Sequence, residues 1–136
     1  MQAATRHGFE PVPAEVERVG KSVLDAAFKG HSTLGPGLLE SVYEAALAHL
    51  LRQAGLGVET QVLLPVVFEG QQIEAGLRLD LRVGRVVIVE LKAVENMIPL
   101  YQAQLMTYLR LTGIRLGYLI NFNVARLRHG ITRLVV

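Results

Sequence analysis

Two acidic residues and a lysine fall where two neighbouring strands are expected, and their types suit metal-dependent chemistry. Glu90 and Lys92 are two residues apart in the segment Val86 to Lys92, so in a strand both side chains point to one face. The rest of that segment is apolar, and charges are costly there unless a partner or a metal compensates them. Asp80 precedes the segment across a turn at Gly84. Two carboxylates beside a lysine suit Mg²⁺ or Mn²⁺ and a phosphate group, with the lysine orienting or deprotonating a water.

The length of the turn decides whether Asp80 and Glu90 can meet. A two-residue loop over residues 84–85 would put Asp80 opposite Val89, and the two carboxylates would then lie on opposite faces. A shared site therefore requires a loop with an odd number of residues, a bulge, or an Asp80 at the frayed end of its strand. We predict one of these three arrangements. The alternative is that Glu90 and Lys92 form an ordinary ion pair and Asp80 is a surface acid.

Three residues on predicted helices border this constellation. Glu40 lies on the edge of an apolar helical stripe, one turn before Tyr43, so we expect it beside the sheet and not in open water. Gln104 and Tyr108 are four residues apart and share a face of a later helix, which begins soon after the Lys92 strand ends. A glutamine there can hold a phosphate or the lysine in place, and a tyrosine can hydrogen-bond or stack. Packing in the core is the alternative role for Tyr108.

The periodicity of the apolar residues predicts an α/β domain. Helical spacing is found over residues 13–30, 38–54 and 99–112. Extended segments are expected at residues 58–68, 73–83, 86–92, 116–122 and 131–136. The second helix should bury an apolar stripe of Leu38, Leu39, Val42, Tyr43, Ala46, Leu47, Leu50 and Leu51. The element order αα-βββ-α-ββ implies a mixed β-sheet flanked by helices, with the two-sided apolar strand that carries Glu90 at its centre.

Length and composition narrow the class of protein. The chain has 136 residues, of which 51% are hydrophobic and 19% charged, as is typical of one globular domain. We assign residues 1–12 to a flexible N-terminal lead-in and residues 13–136 to a single domain. There is no cysteine, which excludes disulfides, a thiol nucleophile and Cys-ligated zinc, and which fits a cytoplasmic protein. We expect neither a signal peptide nor a membrane span, and a net charge of +2 is only weak support for a polyanionic partner.

The remaining polar clusters have ordinary explanations. The histidines lack any metal-ligand spacing; they are His7, His31, His49 and His129. Residues 126–129 form a small basic loop before the last predicted strand. This loop could contact a nucleic-acid backbone, but a solvated turn is the more common form of such a segment.

Several separate motifs occur in an order that a known family shares. Leu34-Gly-Pro-Gly-Leu-Leu-Glu-Ser-Val-Tyr43 carries a glycine, a glutamate and a tyrosine at fixed spacing, namely Gly37, Glu40 and Tyr43. The later motifs are Asp80, Val89-Glu-Leu-Lys92, Gln104-Leu-Met-Thr-Tyr108, Leu119-Ile-Asn-Phe122 and Gly130-Ile-Thr-Arg133. Over residues 15–136 the chain resembles the GxxExxY proteins, which are grouped with the PD-(D/E)xK nuclease superfamily. It departs from the pattern at Leu79, where the superfamily name has proline, and at Tyr101, where we expect histidine more often.

The resemblance implies a restriction-endonuclease-like fold and assigns a role to each candidate residue. Asp80 and Glu90 would bind the metal and Lys92 would assist catalysis. Glu40 would be the helical acid of the site. Gln104 and Tyr108 would form the QxxxY motif of the RecB-like branch.

We therefore expect a Mg²⁺- or Mn²⁺-dependent nuclease that acts on DNA more than on RNA. The metal ligands would be Asp80, Glu90, the Leu91 carbonyl and Glu40, the last as a ligand or as a base through water. Lys92 would activate the nucleophile, and Gln104 would position Lys92 or a phosphate. We also expect a homodimer, because small nucleases commonly gain reach from two-fold pairing. The rival hypothesis is a non-catalytic module that binds nucleic acid or protein on a nuclease-like scaffold.

Overall fold

Three helices and five strands make up the computed structural model, which describes residues 10–136; residues 1–9, most of the expected lead-in, lie outside the described residues. The helices are α1 (Ala14–Leu34), α2 (Glu40–Gln53) and α3 (Pro99–Thr112). The strands are β1 (Val58–Phe68), β2 (Gln71–Val83), β3 (Val87–Lys92), β4 (Leu116–Asn121) and β5 (Ile131–Val135). A short 3₁₀ helix, Leu127–Gly130, precedes β5. The predicted element order αα-βββ-α-ββ is confirmed.

The five strands form one mixed sheet in the order β1-β2-β3-β4-β5. Only β3 and β4 are parallel, because α3 carries the chain back across the sheet between them; the other neighbours are antiparallel. The central strand is β3, in which residues 87–91 are buried, as its apolar sequence predicts. This is the restriction-endonuclease-like mixed sheet flanked by helices that the sequence suggested.

Each face of the sheet packs on its own hydrophobic core. The two-helix core joins α1 and α2 to the sheet through residues that include Val23, Leu47, Leu51, Leu81, Val89 and Ile120. The one-helix core joins α3 to the opposite face through Leu79, Ile88, Leu105, Leu109, Ile114 and Leu119. Truncation of a fully buried leucine or isoleucine to alanine costs roughly 2–5 kcal/mol, so these residues hold the helices against the sheet. The sheet is thus the middle layer of an α/β/α arrangement.

The segment between α1 and α2 differs from the sequence prediction. The first helix runs to Leu34 and not to residue 30, and the second begins at Glu40, two residues later than expected. Leu38 and Leu39 precede the helix and therefore do not lie on its inward stripe; Leu39 is 74% exposed. Val42, in the first turn, is also exposed. The buried residues of the helix are Tyr43, Leu47, Ala48 and Leu51.

The other boundaries agree with the sequence to within two residues, and β1 and α3 have the predicted ends. The helix α3 ends as predicted at Gly113, whose φ of 74° is left-handed. Residues 127–130 are a 3₁₀ helix and not the loop expected at 126–129. Close packing explains the tight turn, since a Cβ at Gly130 would lie 2.1 Å from the Asn121 carbonyl oxygen.

Candidate active site

The turn between β2 and β3 brings Asp80 and Glu90 together. Val83 pairs with Val87 and Leu81 with Val89, so three residues, 84–86, form the turn. Gly84 and Arg85 both have φ near +60° (57° and 59°), which suits glycine and is tolerated at Arg85 in a tight hairpin turn. The expected odd-numbered loop is confirmed. One step beyond the Leu81 pair, Asp80 and Glu90 therefore face each other.

At this position the side-chain carboxylates of Asp80 and Glu90 accept hydrogen bonds from backbone N–H groups of the neighbouring strand, in place of the usual backbone carbonyls. Oε2 of Glu90 accepts a hydrogen bond from the backbone N–H of Asp80 at 2.7 Å. Oδ2 of Asp80 accepts one from the backbone N–H of Leu91 at 2.8 Å. The regular pairing of β2 with β3 stops at Leu81, so the strands separate here and leave room for both acids. The site lies in this fork.

The fork coincides with a change in the side-chain alternation of the β1–β2 hairpin. Leu81 packs in the two-helix core, whereas Leu79, two residues earlier, packs in the one-helix core. Side chains two apart in a regular strand share a face, so the alternation shifts at Asp80. Opposite it, Gln61 has a left-handed φ of 51°, and its amide nitrogen lies 3.3 Å from Oδ1 of Asp80 and 2.5 Å from Oε1 of Glu44. Gln61 thereby links Asp80 to α2.

The electrostatics of Glu90 are dominated by burial. Burial is the largest cause and, with the negative charge of Asp80, raises the pKa of Glu90 to about 8. The backbone N–H of Asp80 and the charge of Lys92 lower the pKa, but by less. Without a bound cation, Glu90 therefore carries a proton for much of the time near neutral pH. A cation placed between the two acids would favour the ionised form.

Glu40 approaches the same place from the first turn of α2. The residue as a whole is exposed, but partial burial of its carboxyl group raises the pKa of Glu40. Lys92 lowers that pKa, Asp80 raises it, and a hydrogen bond from the backbone N–H of Ala93 lowers it. Glu40 thus lies near Asp80 on β2 and near the end of β3.

A buried network holds the loop that leads to Glu40. The Tyr43 hydroxyl donates to the carbonyl of Gly35 at 2.6 Å and accepts from the backbone N–H of Leu38 at 3.2 Å. Its ring stacks on Phe122, with centroids 4.6 Å apart. Gly37 needs its positive φ of 96° in this loop. The glycine and tyrosine of the motif around Glu40 therefore fix the start of α2.

Lys92 is held by an aromatic ring. Its Nζ lies 4.2 Å from the ring centroid of Tyr101, on α3, which is a cation–π contact. The loop that follows Lys92 is fixed by buried Asn121, which accepts from the backbone N–H of Val94 and donates to its carbonyl, at 3.1 and 3.0 Å. The sequence singled out Tyr101 only as a departure from the family pattern.

Tyr108 and Gln104, the two polar residues predicted on α3, differ in their relation to the site. Tyr108 is half-buried; its pKa is raised by burial and by the charges of Glu90 and Asp80, so its hydroxyl lies in the field of the site. Gln104 is exposed, and the hydrogen bonds of the site within residues 10–136 do not include it. The structure thus brings together Glu40, Asp80, Glu90, Lys92 and Tyr108, and leaves Gln104 at the rim. Gln61 and Glu44 are neighbours that the sequence analysis did not single out.

The donor set fits a hard divalent cation. Within residues 10–136, no group of three or more histidine, cysteine, aspartate or glutamate side chains is arranged to hold a metal ion. Asp80 and Glu90 nevertheless converge, each with only one oxygen engaged by a backbone N–H, and carboxylate oxygens are the ligands that Mg²⁺ and Mn²⁺ prefer. Leu91 and Glu40 line the same cavity as Asp80. These residues can therefore supply carboxylate and carbonyl oxygens to one ion.

A mixed sheet between helices, with two acids and a lysine at the fork of two strands, defines a nuclease-like scaffold. The chain belongs to the PD-(D/E)XK nuclease superfamily, whose family model matches residues 17–134. No curated protein and no solved structure matches the chain significantly. Among residues 10–136, every helix is too short or too polar to cross a membrane.

Proposed function

We propose that the chain is a metal-dependent nuclease that hydrolyses phosphodiester bonds of DNA, with RNA as the second candidate substrate. The observation that carries the proposal is the convergence of Asp80 and Glu90 at the fork of β2 and β3, with Lys92 two residues further along. Burying two like charges side by side is costly, and a bound cation removes that cost. The GxxExxY pattern around Glu40 supports a finer placement of the chain among the GxxExxY proteins.

The proposed metal is Mg²⁺ or Mn²⁺, held by Asp80, Glu90 and the Leu91 carbonyl, with Glu40 as a further ligand or as a base through water. When bound, the ion polarises the phosphate and lowers the pKa of a coordinated water. Lys92, held by Tyr101, orients the attacking water and offsets the negative charge that grows on the phosphate oxygens. The raised pKa of Glu40 makes its carboxylate a stronger base than that of an ordinary glutamate.

In the proposed reaction the oxygen of a water attacks phosphorus and the bond from phosphorus to the leaving oxygen breaks. The attacking water gives its proton to a base, for which Glu40 is the candidate. The leaving oxygen takes a proton from solvent, so atoms and charge balance. Tyr108, beside Glu90 and Asp80, can donate a hydrogen bond to a phosphate oxygen, since a raised pKa keeps its hydroxyl protonated. Gln104 keeps a proposed role at the rim, where it can contact a bound phosphate.

A non-catalytic binding module is the second candidate. One observation favours it: Asp80 and Glu90 each bond a backbone N–H, so the pair has structural partners even without metal. Cleavage assays separate the two. Purified protein is incubated with single-stranded, duplex and branched DNA and with RNA, in Mg²⁺ or Mn²⁺, beside Glu90→Gln and Lys92→Met.

Matched controls make that assay specific. Glu15→Gln and Lys21→Met remove the same charges from the exposed face of α1, far from the site. We expect cleavage by the parent and by both controls, and none by the two site variants, whose melting temperatures should stay above the assay temperature. Cleavage that persists in both site variants points to a contaminant and contradicts the proposal; binding without cleavage by the parent supports the module.

We also propose that the chain forms a homodimer. The strand β1 is an edge of the sheet, and its outer half exposes Leu63, Val67 and Phe68, each more than 60% accessible. Exposed apolar edges promote pairing with another strand, and antiparallel pairing of two copies satisfies a two-fold axis. Sedimentation of the parent and of Leu63→Lys tests this: the parent should sediment as a dimer and the variant as a monomer.

A further inference from the structure

A groove leads away from the site between α2 and the edge strand β1. One cavity, of about 490 Å³, lies at the site and is lined by Glu40, Glu44, Gln61, Arg78 and Asp80, among others. A second cavity, of about 570 Å³, is lined by Glu44, His49, Arg52 and Thr60, among others. Both cavities share Glu44, and Thr60 and Gln61 are adjacent on β1. The two cavities meet at the hydrogen bond between Gln61 and Glu44, which joins β1 to α2, and together they make up the groove.

The first cation in this groove is Arg78. It lies two residues before Asp80 on β2, about 7 Å along the strand at about 3.3 Å per residue. No carboxylate of residues 10–136 is within ion-pair distance of Arg78. By contrast, Arg82 on the same strand makes two 2.8 Å bonds to Glu59. Arg78 thus keeps its charge and its N–H donors available beside the acidic centre.

The second cation is Arg52, at the far end of the groove. Glu44, Ala48 and Arg52 are four residues apart along α2 and so lie on one face of it. At 1.5 Å per residue, Arg52 lies about 12 Å from Glu44 along the helix axis. One guanidinium nitrogen donates to the Val58 carbonyl at 3.0 Å, which leaves the remaining N–H groups free.

The order of charges along the groove matches a polynucleotide backbone. The acids Glu40 and Asp80 lie at the site. Arg78 and Arg52 lie on opposite sides of Asp80 along the hairpin, because Arg78 pairs with Leu63 and Arg52 bonds the Val58 carbonyl. Glu44 opposes a phosphate placed directly over it, so phosphate contacts belong on either side of it. The distance from Glu44 to Arg52 corresponds to about three phosphates at ~3.4 Å per nucleotide of a duplex strand, and to fewer in an extended strand.

We infer that this groove binds one polynucleotide strand across the site, with Arg78 on a phosphate to one side of Asp80 and Arg52 on a phosphate to the other. The inference rests on the proposed function, since it names the path of that function's substrate. It assigns neither arginine to the chemical step: both are positioning residues.

Binding of a short fluorescent single-stranded DNA at several salt concentrations tests the inference. All variants are made in the Glu90→Gln background, where cleavage is not expected, and are measured in Mg²⁺. Arg78→Gln and Arg52→Gln should each weaken binding about tenfold, because a charged hydrogen bond to phosphate is lost. Each should also reduce the slope of log affinity against log salt by about 0.7, the loss of one phosphate contact. Arg78→Lys should restore the slope.

Arg18→Gln is the matched control. The Arg18 side chain is 69% exposed on α1. Its neighbour Val19 lies beside Gly84 in the β2–β3 turn, and this turn is at the opposite end of β3 from Lys92. The Arg18→Gln variant should bind like the parent. Four results would each overturn the inference. Arg78→Gln could leave affinity and slope unchanged, or the loss could be confined to Arg78→Gln. Arg18→Gln could lose as much affinity, or the parent could fail to bind. The wild type could fail to cleave while binding still depends on both arginines. That result would contradict the proposed nuclease activity and would still support the groove as a binding site.

Discussion

Asp80 and Glu90 each accept a hydrogen bond from the backbone of the strand that carries the other. The Glu90 carboxylate takes the N–H of Asp80 at 2.7 Å, and the Asp80 carboxylate takes the N–H of Leu91 at 2.8 Å. The pair is therefore preformed by main-chain geometry, and the four predictions that follow concern what depends on it or supports it.

Without metal, the chain should lose stability as pH rises from about 4.5 to about 8. Folding raises the pKa of Glu90 from its ordinary 4.5 to about 8, so the folded state binds the proton more tightly. A raised pKa stabilises the fold below the unfolded value, and that stability is lost as pH rises through the folded value. Glu40, whose pKa is also raised, acts in the same direction. Melting temperatures measured in EDTA across this range check the prediction.

Glu90→Gln should flatten that pH profile and raise the melting temperature at pH 8, because an amide cannot ionise. Glu15→Gln, exposed on α1, should keep the parent's profile. A parent whose melting temperature is constant from pH 4.5 to 8 would contradict the raised pKa.

Divalent metal should raise the melting temperature of the parent at pH 8. Binding to the folded state alone adds about 2.7 kcal/mol when the metal is at a hundred times its dissociation constant. Asp80→Asn and Glu90→Gln should each lose most of this rise in a Mn²⁺ titration followed by thermal melting. Glu69→Gln, in the β1–β2 turn, should retain it. An equal rise in Asp80→Asn would place the metal elsewhere.

Replacing the aromatic ring beneath Lys92 should slow cleavage more than it weakens binding. A cation–π contact is worth roughly 0.5–2 kcal/mol, so Tyr101→Leu should lower kcat by about twofold to thirtyfold with little change in KM. Tyr101→Phe keeps the ring face and should stay near the parent. Steady-state rates on the best substrate give both constants. If the phenylalanine variant falls as far as the leucine variant, the hydroxyl matters and the ring does not.

Gly130→Ala should destabilise the fold by about 1–3 kcal/mol or more, since overpacking of this kind displaces backbone. The new Cβ would lie 2.1 Å from the backbone oxygen of Asn121, whose side chain fixes the loop after Lys92. Gly57→Ala is the control, because nothing lies within 4 Å of a Cβ there. Urea unfolding of both variants measures the difference. Equal midpoints would show that the 3₁₀ turn can shift without cost.

Much of the fold was predictable from the sequence because its signals are local. The apolar run of β3 indicated a central strand, Gly84 indicated the hairpin turn, and Gly113 indicated the end of α3. Strand alternation alone limited the connection to an odd-numbered loop, a bulge or a frayed strand end, and the structure has the first of these. Leu38 and Leu39 were misplaced because the Tyr43 side chain sets the start of α2, through its bonds to the preceding loop and its stacking on Phe122. Periodicity reports neither contact.

The contacts around Asp80 were less predictable, because they depend on the change in side-chain alternation along β2. Gln61 gives no sequence signal for a left-handed φ, so neither the shift at Asp80 nor the bond between them could be foreseen. Gln104 was expected to position Lys92 or a phosphate because it shares a helix face with Tyr108. That spacing fixes the face of the helix, but it does not fix the distance from the helix to Lys92. Tyr101, one turn earlier, holds the lysine instead.

Leu79 and Leu81 flank Asp80 and belong to opposite cores. A chain that has packed only one side of its sheet therefore has one of these anchors but not the other, and Asp80 is not yet aimed at Glu90. Partial unfolding on either side should dissolve the acidic pair while most strands persist. The two acids therefore converge only where both cores are packed.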